Sequence, residues 1–144
     1  MCNENPNAEK PLSRSEMREQ AFMLLFSKSF DSEPPENVIE DNEELFVGGV
    51  CGYAQAVVTA IDQKQDEIDE DITRFLKPGW SVSRISRPSL AILRLAVYEI
   101  KYLDSVPDSV SVNEAVELAK KYTIDESKFV NGVLGAFIRS REEA

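Results

Sequence analysis

Apolar residues in this chain recur at intervals of three and four, and nowhere at a sustained interval of two, which predicts helices throughout. Met17, Ala21, Leu24 and Leu25 share one helical face behind a Ser13/Glu16 pair whose hydroxyl and carboxylate can each satisfy an orphan amide. The spacing predicts a first helix to about Phe30, stopped by Pro34-Pro35. Asp41 and Glu44 offer another N-terminal cap, followed by Phe46, Val50, Tyr53, Val57 and Ala60, the pattern of a long amphipathic helix that needs helical partners. Gly48, Gly49 and Gly52 fall inside it and suggest close helix–helix approach. A phosphate loop is the poorer reading, because no strand precedes them and no GxGxxG or Walker spacing is present. Ile68, Ile72, Phe75 and Leu76 predict a shorter helix closed by Pro78-Gly79, and Trp80, Val82 and Ile85 a tight apolar turn packed on the core.

Ser86 and Pro88 set a hydroxyl cap and an early proline before a run, Leu90 to Leu103, that is apolar on most sides and predicts the central buried helix. Pro107 ends that region. Ser111 and Glu114 repeat the capping-box spacing ahead of Ala115, Val116, Leu118, Ala119 and Tyr122, and a last helix is expected over Asp125 to Arg141. The expected fold is all-α, with about seven helices and short loops that favour antiparallel neighbours. Met1 to Leu12, polar and with two prolines, is expected to be a flexible tail, leaving 13–144 as the domain.

The 144 residues and 42% hydrophobic content suit a globular domain with a real core. No apolar run approaches the roughly 20 residues that span a bilayer, and the first residues lack a secretory pattern, so a cytoplasmic protein is expected. Cys2 and Cys51 make no disulfide framework, and Cys51 reads as a small buried hydrophobe. The chain has no histidine, the commonest general base and metal ligand. Without zinc spacing, an EF-hand loop or a nucleophile elbow, neither an enzyme nor a metal or other cofactor is expected.

A net charge of −10 argues against a nucleic-acid partner, but its distribution weakens that objection. Asp31 to Asp71 hold 13 acidic residues against one basic, Lys64; elsewhere 13 acidic residues face 15 basic ones. The acidic stretch reads most simply as a solvated face. A basic patch elsewhere can act despite it, because salt screens charges over about 8–10 Å.

Three blocks carry a more specific signal: Leu93-Arg94-Leu95-Ala96-Val97-Tyr98-Glu99, Ser111-Val112-Asn113-Glu114-Ala115-Val116-Glu117-Leu118-Ala119-Lys120 and Lys128-Phe129-Val130-Asn131-Gly132-Val133-Leu134. In this order, and over about Ser13 to Arg141, the chain resembles the NusB family of transcription antitermination proteins. The resemblance implies two packed helical subdomains and binding of boxA RNA in ribosomal-RNA leader transcripts. It also implies a small-subunit ribosomal protein partner, called NusE in this role, and action on the transcribing RNA polymerase complex. The alternative is a protein-only helical adaptor with a weakened RNA face.

The residues support this unevenly. Arg14 and Arg18, one turn apart at the start of the first helix, could reach two phosphates. The resembled family carries an arginine-rich stretch there; here Glu16 and Glu19 interrupt it. Lys128 beside Phe129 could pair a phosphate with a stacked base. Spacing alone puts Phe129 in the core, whereas the resemblance puts it at the RNA surface. By resemblance Phe75 is a further RNA-contacting aromatic. Asp125 could accept from a base edge or, more simply, cap the last helix. Asn131 reads as a brace for a neighbouring backbone segment. Arg94, Tyr98 and Glu99 read as structural, each polar group meeting another helix.

Overall fold

In the computed structural model, which describes residues 11–143, the first helix begins where its capping residues predict. The Ser13 Oγ accepts the Glu16 N–H at 3.1 Å, and the Glu16 carboxylate accepts the Ser13 N–H at 2.8 Å, opening α1 (Arg14–Lys28). All but Pro11 and Leu12 of the expected tail lies outside the described residues.

The two prolines that stop α1 also start the next helix. Pro35 occupies the first turn of α2 (Pro35–Asn42), where its missing N–H would have lacked a partner anyway. Here the structure departs from the expected long helix. Asp41 lies inside α2, and a 3-10 turn, Glu43–Leu45, follows it. Gly48 and Gly49 then take φ of 85° and 80°, left-handed values that strain other residues, so they form a turn and not a helix-packing face. The Glu43 carboxylate accepts the Val50 N–H at 3.2 Å, in the space a side chain on Gly49 would need. Beyond that turn, α3 (Gly52–Thr73) runs unbroken through the two helices expected there, since no proline or glycine interrupts it. Phe75 and Leu76 fall in the turn after it.

The chain divides into two compact units, up to Gln63 and from Lys64 onward. In the first, Phe22 and Leu24 of α1 and Val57, Val58 and Ile61 of α3 are buried, as is Cys51, whose N–H donates to the buried Gln20 side chain at 2.8 Å. Lys28 pairs with Asp62 at 2.7 Å.

The second unit is built on α4 (Arg87–Tyr102), α5 (Asp108–Tyr122) and α6 (Ser127–Glu143), each packed on the other two. Ser86 caps α4 as its sequence predicts, and α4 buries Ala91, Ile92, Leu93, Leu95, Ala96, Val97 and Ile100. Full burial of one such leucine or isoleucine side chain stabilises the fold by about 1.5–3 kcal/mol. Helix α5 starts four residues earlier than its capping-box spacing suggests. Pro107 presets the entry dihedral, and Ser111, buried inside the helix, donates to Glu99 at 2.8 Å. Glu99 is 1% exposed, so this bond helps keep its carboxylate satisfied in the core.

The acidic C-terminal half of α3 does not behave as a plain solvated face. Asp69 takes both forks of the Arg94 guanidinium at 2.8 Å, and the buried Asp71 takes Lys101 at 2.8 Å and Arg74 at 2.9 Å. Glu67 accepts from both Lys101 and Tyr102. Arg94 and Glu99 thus each meet a polar group on another helix, as expected. The described residues form six α-helices and no strand.

Candidate nucleic-acid interface

Glu126 assembles the site. Its N–H donates to the Thr123 Oγ at 3.3 Å, and its carboxylate accepts the hydroxyls of Ser86 at 2.6 Å and Ser89 at 2.5 Å. One carboxylate therefore ties the N-terminal ends of α4 and α6 together. That brings Lys128 and Phe129, on the first turn of α6, beside the segment Phe75 to Ile85. Asp125, immediately before, turns the chain with a φ of 57°, a conformation that aspartate tolerates better than most residues. Its carboxylate is exposed and has no hydrogen-bond partner among the described residues, so it does not cap α6.

The result is a cleft of about 640 Å³ walled by Phe75, Trp80, Ile85, Phe129 and Val133 and edged by Lys77, Arg84 and Lys128. Phe75 is half-buried, its ring edge-on to the buried Phe137 at 6.2 Å between centroids, which anchors it to the core. Trp80 is 44% exposed, with the Arg84 guanidinium 5.6 Å from its ring centre. Of the expected apolar turn, only Ile85 is buried in the core; Trp80 lines the cleft instead. Phe129 is half-buried and also lines it. Two or three ring faces among cations, with one carboxylate held by serine hydroxyls, suit an anionic ligand with flat groups.

Phe75, Lys128 and Phe129 come together in this cleft, with Asp125 on the adjoining turn. Arg14 and Arg18 lie in the first unit. Arg14 is exposed, but Arg18 is only 6% exposed and engaged within the protein, against the expectation that both reach phosphates. The physical reason is helical phase: Arg18 shares the inward side of α1 with Ala21, Phe22 and Leu25. Lys77, Trp80 and Arg84 escaped the sequence reading; a tryptophan just past Pro78-Gly79, flanked by cations, was the available signal.

An all-helical chain that gathers aromatic faces and cations around an open cleft is a small α-helical binding protein. The NusB family model matches residues 15–139. The transcription antitermination protein NusB of Limosilactobacillus reuteri (strain DSM 20016) is 40% identical over 134 residues, covering 92% of this chain and 97% of that protein. Among solved structures, T. maritima NusB has a TM-score of 0.81 at 32% identity, covering 90% of this chain and 93% of that one. A crystal structure of the antitermination factors NusB and NusE in complex with dsRNA has a TM-score of 0.78 at 30% identity, covering 88% and 96%. The chain belongs to the NusB family. Among the described residues no helix is long and apolar enough to cross a membrane.

Proposed function

We propose that this protein is a cytoplasmic transcription antitermination factor that binds boxA RNA of ribosomal-RNA leader transcripts together with the small-subunit ribosomal protein NusE, and so acts on the transcribing RNA polymerase complex. The observation that carries this reading is the convergence of Phe75, Phe129 and Lys128 on one cleft. The mechanism is binding. Phe129 and Phe75 offer ring faces to unpaired bases, while Lys128 and, in the first unit, Arg14 neutralise phosphates. Asp125, exposed on the turn before α6, accepts from a base amino group. Arg18, being buried, serves α1 itself and supports RNA contact only indirectly.

Membership of the NusB family supports the antitermination role, and the related NusB–NusE structure supports RNA and NusE as partners. That complex holds double-stranded RNA, whereas exposed rings favour single-stranded bases that can be splayed onto them. Binding of this protein to a boxA-like oligonucleotide, single-stranded and as a duplex, with and without NusE and across a salt series, tests the reading. Tighter, salt-dependent binding of the single strand with NusE present is expected. The buried Arg18 and interleaved glutamates favour one second reading, a protein-only adaptor, for which RNA affinity would be absent at every salt concentration.

A further inference from the structure

A second groove, of about 830 Å³, opens between α5 and α6 within the second unit, and Lys128 borders both it and the aromatic cleft. Along it, Lys128 and Arg139 are both exposed, and neither has an ion-pair partner among the described residues. Lys120, opposite, holds only the exposed Glu117 at 3.3 Å, a pair worth little in water. Arg139 lies across Gly135: a Cβ there would stand 3.3 Å from its Nη1, so the missing side chain leaves the guanidinium its place in the groove. Asn113 and Asn131, one from each wall, present exposed carboxamides between the cations. The acids that line the groove are Asp108, at the start of α5, and Glu142, near the end of α6 and one turn beyond Arg139. Lys128 and Arg139 stand eleven positions apart on α6, roughly 16 Å along the helix.

We infer that an RNA strand seated in the aromatic cleft continues past Lys128 into the α5–α6 groove, where Arg139 and Lys120 hold its phosphates and the two asparagines face its bases and sugars. This rests on the RNA-binding reading and lengthens its footprint. The strand is the fitting occupant because Lys128 borders both groove and cleft, Lys128 and Arg139 have no ion-pair partner among the described residues, and Lys120 holds only an exposed one.

The test uses the full chain with NusE bound and two single-stranded RNAs: a short boxA core, and the same core with flanking nucleotides added at each end in turn. One flank should raise affinity and steepen the salt dependence. Arg139→Gln should lower the slope for the longer RNA by about 0.7, the loss of one single-strand phosphate contact, and leave the short RNA unchanged. Lys121→Gln, with the same charge change outside the groove, should alter neither. Glutamine keeps the helix, so these variants fold. If the short RNA binds but no flank adds affinity, or Arg139→Gln leaves the longer RNA unaffected, the groove path is overturned while the cleft stands. An effect of Arg139→Gln on NusE affinity alone would assign the groove to protein and overturn it equally. If the short RNA does not bind, the cleft reading falls and this one with it.

Discussion

Phe129 decides whether the cleft binds RNA or is merely an unfilled seam. Its ring is half-buried against the cleft wall, whereas Leu134, on the same helix, is 0% exposed. Truncating a fully buried phenylalanine costs about 3–5 kcal/mol, so Phe129→Ala, losing roughly half that burial, should cost about 1.5–2.5 kcal/mol of stability. Leu134→Ala, a full core deletion, should cost about 2–5 kcal/mol. The order reverses for RNA. A base stacked on an aromatic is worth about 1–3 kcal/mol, so Phe129→Ala should weaken binding roughly five- to 150-fold. Folded Leu134→Ala should bind almost normally. Chemical denaturation of each variant, with RNA titrations in the presence of NusE at a temperature where both are folded, provides the two axes. If Phe129→Ala loses the larger share of stability yet binds RNA like the parent, the ring belongs to the core and the stacking role is refuted.

The two arginines of α1 should separate in the same assays. Arg14→Ala should lower the salt slope by about 0.7 with no loss of stability, since alanine is the best helix former. Arg18→Ala should instead cost about 1–3 kcal/mol, because the interactions of a buried guanidinium are lost, and equal slope changes for both would refute this division. Glu126→Ala strips two serine hydroxyls of their acceptor and should both lower the melting temperature and weaken RNA binding; an unaltered affinity would show that the cleft does not need the tie. The α3–α4 network predicts pH dependence at both extremes. Hydrogen bonds from Lys101 and then Tyr102 lower the Glu67 pKa, so its contribution is present above the ordinary glutamate range and lost as acid protonates it. The bond to Glu67 raises the Tyr102 pKa, and for Lys101 burial is outweighed by hydrogen bonds to Asp71 and Glu67. Both contributions are therefore present at neutral pH and lost above about pH 10. Tyr102→Phe should flatten the alkaline fall in melting temperature, and superimposable profiles would refute the linkage.

Periodicity made the helices legible, and local chemistry decided which starts could be read. Ser13/Glu16 and Ser86 cap as their sequence suggests, because each serine oxygen accepts a first-turn amide, and Ser86 does so while its proton goes to Glu126. Ser111 has the same spacing signal but spends its hydroxyl on Glu99, a carboxylate 12 positions away that only the fold brings near. Gly48 and Gly49 are ambiguous in sequence because glycine serves both close packing and left-handed turns; the acceptor at Glu43 favours the turn. Of the site, Lys128 and Phe129 were visible as a motif and Phe75 through resemblance. Trp80 and Arg84 were not, since their place depends on the Ser86–Glu126 bond across 40 residues.

The acidic balance of the chain is reconciled with an anionic ligand by where the charges are spent. Asp62, Glu67, Asp69 and Asp71 hold Lys28, Lys101, Arg94 and Arg74 in ion pairs, so these acids and bases cancel locally and contribute little field beyond a Debye length of about 8–10 Å. Lys77, Arg84 and Lys128 at the cleft have no ion-pair partner among the described residues. The one carboxylate lining that cleft, Glu126, already accepts two hydroxyls. A phosphate approaching it therefore meets three cations without an ion pair among the described residues, despite a net charge of −10. The exposed acids of α2 and the 3-10 turn have no ion-pair partner among the described residues. Attraction rests on these few cleft cations, so raising salt should weaken RNA binding chiefly by competing for their contacts.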